Sequence, residues 1–165
     1  SGEDFSAARY EGYGPGGMMT IVECLTDNPN RTFGDVRLAF TKTDCKIGTQ
    51  GSVIHQFDHL AIFVFDFENE EIPFDALIAS DIDIIDIESE DGRISIFVSN
   101  TDYFKAKQAI LNSCGDLNFE IDEIQYLPHE YIHIAGDDIL LFEKFMTMLN
   151  ELDDVQHVHH NAKLE

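Results

Sequence analysis

The sequence predicts an α+β protein made of two ferredoxin-like (βαββαβ) domains, one inserted into the other. Residues 60–127 read as strand, helix, strand, strand, helix, strand, which is a complete domain order. The stretches before and after them each read as strand, helix, strand, so neither closes a sheet alone and each is expected to complete the other. At 165 residues, 44% hydrophobic and 11% aromatic, the chain can fill two small cores. The expected boundaries are residues 9–58 with 129–161 for the discontinuous domain and 59–128 for the insert.

In order along the chain, residues 10–17 are glycine-rich and read as a loop, and residues 18–25 are a continuous apolar strand. Asp27-Asn28-Pro29-Asn30 has turn chemistry, and Thr32 with Asp35 resembles a capping box for a helix burying Phe33, Val36 and Phe40. After Gly48 and Gly51, alternation of Val53, His55 and Phe57 predicts a strand over residues 52–57. The insert begins with a strand over 61–67, a helix with Pro73 in its first turn, and a strand over 83–88. Asp91-Gly92 marks a tight turn into a strand over 93–98. Thr101 opens a helix with Tyr103, Ala106, Ile110 and Cys114 on one stripe, Gly115 ends it, and a strand follows over 118–126. The closing stretch offers a strand over 131–134, a helix over 137–152 with Leu141, Phe145, Met148, Leu149 and Leu152 on one side, and a strand over 155–160. Residues 162–165 do not continue the pattern and resemble a cloning remnant outside the fold.

Charge restricts function. The formal net charge is -22, and residues 1–50 hold seven acids against five bases while the rest hold 25 against five. A polyanion would therefore be met within the first third, where the bases are least outnumbered. The acidic insert suits solubility or a protein partner. Three cysteines without metal-type spacing read as core thiols of a cytoplasmic protein, and no apolar run reaches membrane-spanning length.

Four motifs carry possible chemistry. Gly12, Gly14, Gly16 and Gly17 fit G-x-G-x-x-G, but they precede a strand instead of opening a helix, so a structural turn is expected over a dinucleotide cradle. His129-Glu130-Tyr131-Ile132-His133 fits the zinc-hydrolase H-E-x-x-H, which needs a helix to bring both imidazoles to one face; after Pro128, alternation predicts a strand. His157 and His159 share a strand face, without a clear metal set. The fourth is the polar cluster Asn28, Asn30, Arg31, Arg37, Lys42 and Lys46, holding four of the ten bases. On a helix Arg31 and Lys42 project within about 20° of each other. That face either contacts phosphates or solvates the helix with local pairing to Asp27 and Asp35. No catalytic residue, cofactor or metal site is expected.

The words YEGYGPGG from Tyr10, IVECLTDNPNRT from Ile21, VRLAF from Val36, GSV at Gly51 and DDVQHVHHN from Asp153 resemble the YebC/PmpR family of gene-expression regulators. The family includes a mitochondrial translational activator of a cytochrome oxidase subunit. The resemblance implies a non-catalytic cytoplasmic regulator that binds nucleic acid, as a DNA-binding transcriptional regulator or a ribosome-associated translation factor. It also implies that nucleic acid or the ribosome is met mainly through a basic helical N-terminal domain that precedes this stretch. A protein-binding ferredoxin-like module and a zinc-dependent hydrolase are the alternatives. Where the family has a glycine pair before its second strand, this chain has Asp44-Cys45.

Overall fold

The computed structural model describes residues 4–165. The chain divides into two compact units, one being Asp58–Tyr126 and the other the residues up to Phe57 together with Leu127–Glu165. Both are α+β and ferredoxin-like, and the first is inserted into the second.

The inserted unit runs β4 (Phe57–Asp66), α2 (Glu71–Ala79), β5 (Ile84–Glu90), β6 (Arg93–Ser99), α3 (Tyr103–Cys114) and β7 (Phe119–Pro128). Its strand order is β5-β6-β4-β7. Alternation in β4 sends Ala61, Phe63 and Phe65 to one face, where they meet Leu77 of α2, Ile94, Ile96 and Val98 of β6, and Ala106 and Ile110 of α3. The Asp-Gly signal is realised as a two-residue hairpin turn, with Asp91 and Gly92 at φ 52° and 81° between paired Glu90 and Arg93.

The discontinuous unit has β1 (Ser6–Tyr13), β2 (Met19–Thr26), α1 (Pro29–Thr41), β3 (Lys46–Ile47), β8 (Ile132–Ile134), α4 (Asp137–Asn150), β9 (Val155–His160) and β10 (Ala162–Leu164). A sheet ordered β3-β1-β2-β9 packs against the two helices through Met18, Val22 and Cys24, Val36, Ala39 and Phe40 of α1, and Phe145 and Leu149 of α4. Phe40 and Phe145 meet edge to face at 4.9 Å.

Four elements differ from the sequence expectation, the short β3 strand at Lys46–Ile47 among them. Residues 6–13 form a full strand, paired with β2 from Ser6↔Thr26 to Tyr13↔Met19. Small and charged residues hide its alternation: Gly12 is required because a Cβ there would lie 2.8 Å from the Phe40 ring. Residues 52–56 form a turn and a short 3-10 segment in place of a strand, because the N–H groups of Gly51, Val53 and Ile54 go to the Glu11 carboxylate and not to a ladder. Finally, β8 pairs in parallel with β10, Ala162↔Ile132 to Leu164↔Ile134, so residues 162–164 belong to the fold.

Candidate nucleic-acid interface

Helix α1 starts where chemistry satisfies its first turn. Asn28, and not the expected Thr32, is the cap: its side chain accepts the Arg31 N–H at 3.2 Å, with Pro29 in the first helical position. Thr32 lies one turn in and is fully buried, its hydroxyl 2.7 Å from both Thr26 Oγ1 and Asp154 Oδ2. Because Thr32, Val36, Ala39 and Phe40 make the buried face, Phe33 rotates to the edge, 43% exposed beside the Tyr10 ring.

Arg31 is committed to this junction. Its guanidinium donates to Asp154 Oδ2 at 2.8 Å and to Asp27 Oδ1 at 3.1 Å. Those contacts, with the Thr32 hydroxyl, hold the Asp154 carboxyl below its ordinary range. A cleft of about 360 Å³ beside it is lined by Arg31, Asp35, Glu151, Leu152, Asp153 and Asp154. One cation among four acids repels phosphate.

The remaining cluster members are arranged differently. Asn30, Gly34, Arg37, Leu38 and Thr41 fall within an arc of about 100° and form the solvent face of α1, with Lys42 at its margin. Arg37, Lys42 and Lys46 are exposed and make no ion pair among the described residues, while Leu38 is 46% exposed. Lys46 stands in β3 opposite Tyr13. Gly34 is the residue that sequence reasoning passed over. A Cβ there would meet no atom within 4 Å, so packing does not require glycine. Its signal in the sequence was a glycine inside a helix, which costs stability without a local reason.

The glycine run joins β1 to β2. Gly14 donates to the Met18 carbonyl at 2.7 Å, and Gly16 and Gly17 take φ of 71° and 82°. A Cβ on Gly16 would lie 2.3 Å from Ile134 Cγ2. Strand-turn-strand context directs no helix N-terminus at an anion. Glu11, in the same word, was also missed. Its buried carboxylate accepts N–H groups of Gly51, Val53 and Ile54 at 2.8, 3.0 and 2.8 Å, with Arg9 Nε at 3.6 Å. Burial opposes its ionisation, but those donors outweigh it and the carboxyl titrates below the ordinary range.

His129 and Glu130 lie in a bend and His133 in β8, so the H-E-x-x-H residues lack the helix their zinc chemistry needs. His133 is exposed near Glu165, at 3.8 Å. His159 Nε2 lies 2.7 Å from Glu23 Oε2, and His157 stacks obliquely on His159 with centroids 5.9 Å apart. Burial pushes the Cys24 thiol up to about 11, which disfavours a thiolate. No helix among the described residues is long and apolar enough to cross a membrane.

Two ferredoxin-like units, one inserted in the other, set the class of protein, and within the discontinuous unit Glu11 and Asp154 brace the chain. Comparison supplies the family: residues 5–162 match the model described as the TACO1/YebC second and third domain, and the chain belongs to that family. It is 61% identical over 163 residues to a probable transcriptional regulatory protein of Alcanivorax borkumensis, covering 99% of this chain and 68% of that one. It is 62% identical over 164 residues to a protein of the same description from Marinobacter nauticus, with the same coverage. Among solved structures it resembles the conserved hypothetical protein Aq1575 from Aquifex aeolicus, with a TM-score of 0.74 and 28% identity over 99% of this chain and 67% of that one.

Proposed function

We propose that this chain is the two-domain part of a cytoplasmic, non-catalytic regulator of gene expression that docks onto structured RNA, as in the ribosome, through the solvent face of α1. The observation that carries this reading is Gly34. It sits on a helix face where packing does not ask for glycine, between Asn30, Arg37, Leu38 and Thr41, with Lys42 at the margin. A glycine there lets a partner backbone approach the helix closely, and the unpaired cations beside it suit phosphate. Arg31 and Asn28 shape the helix start instead of contacting the ligand. The three cations of this cluster, Arg37, Lys42 and Lys46, on a chain of net charge -22 suit shape-led docking shared with other contacts better than independent capture of a duplex.

The relatives' description as probable transcriptional regulatory proteins favours a second reading, in which the same face meets DNA. Crosslinking in cells followed by sequencing of the bound nucleic acid separates the two. Ribosomal RNA that disappears with Arg37→Glu supports the proposal. Recovery of promoter DNA alone supports the transcriptional reading, and recovery of neither removes both.

A further inference from the structure

The inserted unit carries a surface that the α1 reading does not use. Asp58–Tyr126 contains 17 acids and three bases, a net of -14. Two of those bases are already neutralised, Arg93 by Glu120 and Lys107 by Asp122, each at 2.6 Å. Ordinary solvation accounts for acids, but not for large apolar side chains held in water among them.

Such side chains are concentrated on α2 and the adjoining sheet edge. Glu71, Phe74, Asp75 and Ile78 follow the i, i+3, i+4, i+7 spacing of a single helix face, and all four are exposed. Phe74 is 39% exposed, Ile78 51%, and Ile85 on β5 54%. Between α2 and β5 lies a cleft of about 280 Å³, lined by Phe74 and Ile87 with Glu70 and Glu71. The β5 strand is an edge of its sheet, with a register shift between Ile84 and Asp86 that leaves Ile85 outside the regular pairing.

We infer that this face, with Phe74 and Ile87 in the cleft and Glu70, Glu71 and Asp75 around it, docks a cationic protein segment whose apolar side chains alternate with Lys or Arg. The apolar cleft supplies the anchor, and the acids select the sign of the partner and steer its approach. Nucleic acid and a second copy of this unit are both repelled by the same charge. The inference is independent of the α1 face, since it rests on a different unit and different residues.

The test is fluorescence anisotropy of the 165-residue chain with two labelled peptides of equal positive charge, one pairing Lys with Leu and the other pairing Lys with Ser. The Lys/Leu peptide is expected to bind more tightly and to weaken as salt rises. Phe74→Ser with Ile78→Ser should weaken it on the order of tenfold, a loss of about 1.4 kcal/mol. Ile124→Ser, on β7 at the opposite sheet edge, should leave it unchanged. Glu71→Gln with Asp75→Asn, which keeps the apolar anchors, should flatten the salt dependence and serves where the serine pair fails to fold. Equal binding of both peptides, an unchanged affinity in folded Phe74→Ser/Ile78→Ser, or tighter binding of single-stranded RNA at this face would each overturn the inference. So would a homodimer that buries Phe74.

Discussion

Glu11 and Val53 stand 42 positions apart, yet Glu11 Oε1 accepts the Val53 N–H at 3.0 Å with both residues buried. This bond ties YEGYGPGG to GSV, just as Asp154 ties DNPNRT to DDVQHVHHN through Arg31 and Thr32. The most recognisable words of the sequence are therefore joined in pairs by a buried or half-buried carboxylate. Their distinctive composition reflects what each carboxylate must reach.

Glu11→Gln should destabilise the chain by about 2–3 kcal/mol, because an amide presents one acceptor oxygen to three N–H donors and turns its own donors into a buried region. Urea unfolding followed by circular dichroism measures it. The folded-state pKa of Glu11 is lowered, so its contribution is fully present above the unfolded value of 4.5 and is lost as pH falls below that through the folded pKa. The substituted chain should lose this acid limb, and a wild-type-like acid limb would contradict the assignment.

His160 should govern a separate limb at higher pH. Its half-buried ring packs edge-on to Phe142, and its Nδ1 accepts the Ala162 N–H at 3.1 Å. Burial, with His159 nearby, lowers its pKa from 6.5, so the unfolded chain takes up the proton first. Stability should therefore decline as pH drops below about 6.5. His160→Gln should flatten that decline in melting temperatures taken from about pH 7.5 to about pH 5, a span that brackets the ordinary histidine value. An unaltered slope would show that other groups cause it.

Gly12→Ala should cost about 1–3 kcal/mol, since the added Cβ would lie 2.8 Å from the Phe40 ring and 2.9 Å from the Gly48 nitrogen. Thermal melting checks this, and a neutral result would mean that β1 can shift away from α1 freely.

Asp44→Gly should do the opposite. Asp44 occupies φ 60° just after α1, a conformation in which a side chain is strained and glycine is not. A gain of about 0.5–1 kcal/mol is expected in urea unfolding. The glycine pair that the family resemblance leads one to expect here would take this conformation without the strain that Asp44 bears.

The inserted unit was legible because its signals are local. Apolar alternation in β4, the Asp91-Gly92 turn and the α3 stripe each act within a few residues. The discontinuous unit was less so. Its first strand is disguised by Gly12 and by Glu11, whose partners lie some 40 residues on, and residues 52–56 alternate like a strand while their N–H groups are taken elsewhere. The cation cluster was visible as composition, but its division was not. That Arg31 is bound by Asp154, 123 positions away, while Arg37 stays free is a tertiary fact.

On the reading proposed above, the Gly34 face of α1 docks a partner that the fold itself does not need. Gly34→Ala tests it most directly, because the fold and the function should respond with opposite sign. The substitution should stabilise the chain by about 0.5–1 kcal/mol, and in a full-length protein carrying this chain it should reduce co-sedimentation with purified ribosomes, as Arg37→Glu with Lys42→Glu should. Undiminished ribosome binding by a stabilised Gly34→Ala protein would contradict the account.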